Sequence, residues 1–405
     1  MNKIKIRKSI MLLSKIRHNV YKNYKNKSNF KKLMLIYKRY NKLKNIHNVV
    51  NIFVLIKRGR FIINANLTVS IKYPYPKDFS ELNTDCYNAQ AGDIITLLPN
   101  TNYYGNLYIT NKHGTADNYI KIIGDDTSAI IGALDPIPPN SDGFGPVAIK
   151  LTNCSYIYIG KEPTVNTENG KGFQLTTAKK GLYADNCSYI TIQNLNIHNI
   201  GMEALHILNN SSFCNIYNNR IYNTGLGTDL DPMVNDAKFG EGIYVGSAYD
   251  NWAVKTIADE THDINIRYNY IYNTTAECID VKEGTYNGLI ESNYFNGEKL
   301  SSEYADSWID IKGTLWNIYD NEGYITLTNG FQIHAIDTGS VDTHSGWNNV
   351  IYDNCLNCLQ PNGSPCLYYA IEIASDTCGN IVYDNNIAYN TNKGLCNSKY
   401  LKPTP

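Results

Sequence analysis

From about residue 90 onward the chain consists of short runs in which apolar and polar residues alternate: YITIQNLNI, CNIYNNRIYN, INIRYNYIYN, GLIESNYFNG, NVIYDNCLN and NIVYDNNIAYN. Alternation with period two sends successive side chains to opposite faces, so each run predicts a strand with one face in a core. Gly, Asn and Asp separate the runs, as expected of tight turns. No long apolar segment has the 3.6-residue period of a helix, which argues against a helical domain.

The runs also repeat. An Asn two residues before an inward aliphatic, or its equivalent, recurs at Asn219, Asn269, Asn293, Asn321, Asn354 and Asn385, with gaps of 50, 24, 28, 33 and 31. The segment NCSYI occurs at Asn153 to Ile157 and again at Asn186 to Ile190, a period of 33. Repeats of 20 to 50 residues built from short strands indicate a solenoid. Asn at fixed turns adopts positive φ and stacks into side-chain ladders. The fold expected is all-β, a right-handed parallel β-helix. Stacked sandwich domains would need Asn-Gly hairpin turns between paired strands, and few are present.

A second set of strands aligns between the Asn turns: EALHI from Glu203, EGIYV from Glu241, ECIDVK from Glu277, SWIDIK from Ser307, NGFQIH from Asn329 and YAIEI from Tyr369. Positions 3 and 5 are mostly aliphatic and point inward, so position 4 faces outward. The outer row is then His206, Tyr244, Asp280, Asp310, Gln332 and Glu372, with Lys282, Lys312 and His334 at position 6. Adjacent strands lie about 4.8 Å apart, so Asp280, Asp310, Lys282 and Lys312 should form one cluster, with His334 on the next rung. Cross-strand ion pairs are the ordinary explanation for such residues. Acid over acid and base over base is a poor arrangement for that purpose, because like charges opposite one another repel. A bound cation or an anionic ligand would relieve the repulsion. Trp308, beside Asp310, is a candidate to stack on a sugar ring, with Gln332 and Tyr244 as further substrate contacts. Glu203, at the head of its strand, is expected to cap a turn, and His206 to be structural.

Charge divides the chain in two. Residues 1–77 hold 20 of the 37 Lys and Arg and no acid, which leaves 17 basic and 37 acidic residues from Asp78 onward. The domains expected are therefore 1–77, a basic leader, signal region or artefactual extension, and 78–405, the β-helix. A basic arm binding nucleic acid or an anionic membrane is a third reading of the first segment. No run of 18 apolar residues exists, so no ordinary membrane span is expected. All ten cysteines follow residue 85, and an even count behind a leader predicts disulfides and secretion. Cys355-x-x-Cys358 lacks a second such pair, which argues against zinc. No phosphate-cradling glycine motif, nucleophile elbow or dinucleotide fingerprint is present.

AGDIITLLPNTNYYGNLYITNKHGTADNYIKIIG, residues 91–124, resembles the opening coil of pectate-lyase-like β-helix proteins, and the resemblance extends over roughly residues 85–395. Within that superfamily the site resembles the chondroitinase B and alginate lyase family. There a Glu-x-Glu pair holds Ca²⁺ and a Lys base stands five residues after the second Glu. Glu277 and Lys282 match that spacing, while Thr275 stands where the first Glu would be, leaving Asp280 or Glu241 as its substitute. The family's Arg has no clear counterpart; Lys312, His334 or Arg267 would fill its place. The resemblance implies a secreted, monomeric lyase acting on an acidic polysaccharide. It would have Lys282, Lys312 and His334 as catalytic candidates and Glu277, Asp280 and Asp310 around calcium. Two other readings stay open: a glycoside hydrolase using Asp280 and Asp310, and a non-catalytic glycan-binding β-helix. The Asp-rich insertion from Gly225 to Phe239, with Asp229, Asp231 and Asp236, is a candidate lid.

Overall fold

The structure is a computed structural model. It describes residues 54–57, 60–63, 75–132, 147–162, 169–226 and 239–405, except 253, 255, 302–304, 306, 340, 342 and 344. Most of the basic segment and the Asp229–Asp236 lid candidate lie outside these residues. The chain divides into two compact units, residues 1–72 and 73–405. The described part of the first is an antiparallel pair, Val54–Lys57 with Arg60–Ile63.

The second unit is a right-handed parallel β-helix. Each full coil gives one strand to each of three parallel sheets, which hold eleven (sheet I), ten (sheet II) and nine (sheet III) described strands. Period-two alternation becomes inward columns. In sheet I a single file runs Ile95, Ile122, Ile159, Ile192, Ile216 and on through Ile351 to Val382, each residue in register with the next. All of them are buried. The open end of the first coil is covered by a helix, Phe79–Asn88, whose Leu82 and Cys86 enter the core. Asp78 caps it by accepting the Glu81 N–H at 2.9 Å, which satisfies one of the orphan donors of the first turn.

The turn from sheet I to sheet II carries the asparagine ladder. In Asn219, Asn269, Asn293, Asn321 and Asn354 the backbone N–H and Nδ2 both donate to the Oδ1 of the next Asn, at 2.8–3.0 Å. Two details differ from the sequence reading. The last rung is Asn386, not Asn385, which instead bonds Asp353 at the surface. Positive φ falls on the residue before the ladder position, at Asn218, Tyr268, Ser292, Asp320 and Asp353. That residue makes the sharp turn and leaves the buried Asn free to bond upward.

The disulfide framework expected from the cysteine count is absent: all ten cysteines are free thiols. Eight are buried, and Cys154 and Cys187 precede paired Ser155 and Ser188 on adjacent coils. These cysteines serve as small apolar core residues, a common use of the free thiol.

Candidate active site

Sheet III carries the expected row of acids and bases on its outer face. Ile279–Val281 and Ile309–Ile311 pair in register with Asp280 opposite Asp310, while the flanking aliphatics are fully buried inside. The same register sets His206, Tyr244, Asp280, Asp310, Gln332 and Glu372 in one row, each opposite its neighbour.

The acids and bases of this row form a chain of ion pairs. Lys282 Nζ lies 2.6 Å from Asp280 Oδ2. Lys312 Nζ reaches across the rung to Asp280 Oδ1 at 3.0 Å and also contacts Asp310 Oδ2. His334 Nε2 is 2.6 Å from Asp310 Oδ1. The stacked like charges are thus resolved by interleaving. Both aspartates are almost wholly buried, so these pairs are screened far less than surface pairs. Burial works against the charge on Lys282, yet Asp280 outweighs it and lifts the ammonium above the ordinary lysine range. Lys312 is raised in the same way by Asp280 and Asp310. Asp310 is held below the usual carboxylate range because Lys312 and His334 overcome its desolvation.

Beside the ion pairs lies a group of carboxyls. Glu241, Glu277 and Asp280 bring one oxygen each within 4.8 Å of one another. Burial, and then the charges of Asp280 and Asp310, push the Glu277 carboxyl up to about 8. Glu241 is raised well above its ordinary value by burial and by Glu203, Asp280 and Glu277. Its buried Oε2 has no hydrogen-bond partner among the described residues. A hard cation takes oxygen donors of this kind, and the orphaned oxygen fits such an ion. Asp310, expected among the ligands, is instead committed to Lys312 and His334. Glu241, from the preceding coil, stands nearer to Glu277 and Asp280 as a third oxygen donor.

Tyr244 lies between the two groups, with Lys282 Nζ 4.8 Å from its ring centroid. Burial, followed by the charges of Asp280 and Glu241, raises its hydroxyl well above the usual range, so the phenol keeps its proton. Gln332 is half-buried and donates to Asn329 Oδ1 at 2.8 Å.

Trp308 does not present its ring to a ligand. It is 0% exposed, its Nε1 donates to the Ile325 carbonyl at 2.6 Å, and it packs edge-on to Phe331. Position 2 of the strand shares the inward face at this coil, because Gly297, Gly323 and Gly330 leave room for the indole. Arg267 lies on sheet I, paired with Glu291 at 3.3 Å, and so cannot supply the missing arginine. Glu203 is no turn cap: its Oε1 accepts from Lys180 Nζ at 2.5 Å and His206 Nδ1 at 2.9 Å. Sequence reasoning missed Lys180. The signal was there, since KGLYAD aligns with EALHIL one coil later and puts Lys180 above Glu203 in the column.

Among solved structures, an alginate lyase from Paenibacillus sp. str. FPU-7 matches at TM-score 0.66 and 27% identity, over 81% of this chain and 99% of that one. A polygalacturonase from Erwinia carotovora ssp. carotovora matches at TM-score 0.51 and 11% identity, over 82% and 96%, a likeness of fold alone. No family model matches the chain, and no curated protein matches it by sequence. The protein is a right-handed parallel β-helix, the fold it shares with these structures. Its structural neighbours include polysaccharide-degrading enzymes. Among the described residues no helix is long and apolar enough to cross a membrane.

Proposed function

We propose that the protein is a secreted polysaccharide lyase that cleaves a uronate-containing glycan by β-elimination on the outer face of sheet III. The observation that carries this reading is the pair of ammonium groups, Lys282 and Lys312, held on the two oxygens of one buried carboxylate, Asp280. The likeness to an alginate lyase supports the substrate class.

β-Elimination removes the proton on the carbon next to the uronate carboxylate. Electrons then form a double bond to the neighbouring carbon as its bond to the glycosidic oxygen breaks, and that oxygen takes up a proton. Negative charge builds on the carboxylate, so cations placed in advance lower the barrier. Lys312, fixed between Asp280 and Asp310, pairs with the substrate carboxylate, and His334 stands on the next rung. Lys282 is the base. It is protonated at rest through its bond to Asp280; once it leaves that partner and gives its own proton to solvent, the neutral amine accepts the substrate proton. Tyr244, which keeps its hydroxyl proton, donates to the leaving oxygen. A divalent cation such as calcium, held by Glu241, Glu277 and Asp280, would supply positive charge to the substrate carboxylate and draw the field of Asp280 away from Lys282.

The test incubates the full chain with alginate, pectate and chondroitin-type glycans, with calcium or with chelator. Only elimination creates the unsaturated uronate seen by ultraviolet absorbance. A signal lost in Lys282→Ala supports the reading, and silence on every uronate overturns it.

A further inference from the structure

Lys180, Glu203 and His206 form a second charged group on the same face, Glu203 and His206 two coils before Asp280 and Lys180 one coil further back. The three are 2%, 4% and 7% exposed. Nothing in the elimination chemistry described above uses them. Burying a cation, an anion and an imidazole together carries a desolvation penalty, and apolar residues of the same size would often be more stable. Their geometry suggests what is gained in return.

Glu203 Oε1 accepts from both Lys180 Nζ and His206 Nδ1, at 2.5 and 2.9 Å. His206 Nε2 faces the Gly246 carbonyl at 2.9 Å. Both ring nitrogens are therefore fixed, one at each edge, and the imidazole cannot turn without breaking a buried bond. Tyr183 packs against one side of this ring at 5.0 Å and 75°. Tyr244 packs against it at 4.5 Å and 64°. Lys282 closes on the Tyr244 ring at 4.8 Å. Gly246, the acceptor of His206, itself sits against Lys282: a Cβ placed on it would come within 3.4 Å of the lysine Cβ.

We propose that Lys180, Glu203 and His206 are positioning residues that clamp Tyr244 against Lys282. His206 is the element in contact with Tyr244, Glu203 orients His206, and Lys180 holds Glu203. The role of Tyr244 in the reaction rests on the lyase reading; the clamp itself does not. It acts on the ring directly, through packing, and on the Lys282 end of the site through the Gly246 carbonyl.

The test compares the full chain with His206→Phe, which keeps ring packing without the two polar bonds, and with His206→Gln, which keeps polar ends. Glu203→Gln provides a second break of the same relay that preserves shape. Tyrosine rings labelled with ¹³C report on Tyr244, assigned through Tyr244→Phe. A clamped ring gives separate signals for its two edges. These should merge or move in His206→Phe and in Glu203→Gln while the melting transition remains cooperative, and His206→Gln should restore them in part. On a uronate that the wild type cleaves, kcat should fall by about tenfold or more with KM within about twofold, as expected when a reacting group is misplaced rather than removed. Tyr244 signals identical to wild type in both His206→Phe and Glu203→Gln would overturn the clamp and leave the triad as a structural element. If the wild type cleaves no uronate, the ring signals still decide the clamp, and the lyase reading fails separately.

Discussion

Asp280 and Asp310 stack directly opposite one another on adjacent coils, and the ammonium of Lys312 bridges them. Two buried carboxylates in register are tolerable only with that cation between them. Lys312→Ala should therefore cost about 3–5 kcal/mol of stability, the usual result of stripping one partner from a buried pair. Denaturant titration checks this, and a loss below about 1 kcal/mol would mean that Lys282 and His334 suffice.

Lys282 and Lys312 are assigned different work, and arginine separates the two roles. Arginine keeps a positive charge but does not release its proton in proteins. Lys282→Arg should lose about 10²–10⁴ in elimination rate, the range attributed to a positioned base. Lys312→Arg should retain measurable turnover. Equal losses in the two variants would remove the distinction between base and charge partner.

If Glu241, Glu277 and Asp280 bind a divalent cation in the folded state alone, calcium should stabilise the protein by mass action. At a hundredfold excess over Kd the gain is about 2.7 kcal/mol. Thermal melts with calcium and with chelator measure it. Glu241→Gln should abolish most of the difference, since Glu241 offers an oxygen that has no other partner among the described residues.

Glu203 gives a pH dependence with a defined sign. Burial opposes its charge, but Lys180 and His206 prevail and lower the carboxyl from 4.5 to about 2. A depressed carboxyl stabilises the fold above its unfolded value and loses that contribution as pH falls through its folded value. The stability gap between wild type and Glu203→Gln should be on the order of 3 kcal/mol at pH 6, and should close between about pH 4.5 and 2. A gap that stays constant across that window would show that Glu203 is not held ionised.

The asparagine ladder can be tested one residue apart. Asn386 accepts two bonds from Asn354, and its Nδ2 reaches the Ile351 carbonyl at 3.0 Å. Asn386→Ala strands buried donors and should cost about 1–3 kcal/mol for each group left unpaired. Asn385→Ala, at a partly exposed turn, should stay within about 0.5 kcal/mol. The reverse order would shift the last rung by one residue.

Much of this architecture was legible because its repeats impose it. Period-two runs spaced by Asn turns leave few folds other than a solenoid, and aligning the strands by their inward aliphatics is enough to set Asp280 opposite Asp310. What escaped the sequence depends on depth and on neighbours. Trp308 reads as an outward residue until the glycines of other coils are seen to make room for it. Glu241 is legible in the sequence only as a substitute for the absent first Glu; that it brings an oxygen within 4.8 Å of Glu277 and Asp280 follows from its place one coil away. The missing disulfides reflect the same limit, since a cysteine stacked in a core column and one bound for a bridge look alike in sequence. Lys180 was reachable, by carrying the strand alignment one coil further back.

The berth of Trp308 has one more effect. A helix of near-identical coils has no built-in zero, and a strand could settle one coil too early and still find aliphatics, an Asn turn and a parallel partner. The indole, seated in the hollow left by Gly297, Gly323 and Gly330, works like the notch on a camshaft. It marks an angular and axial setting two residues from Asp310, and so ties the charged row to one register of the winding. Trp316, lodged against Gly288 and Gly313, repeats the mark at the following corner.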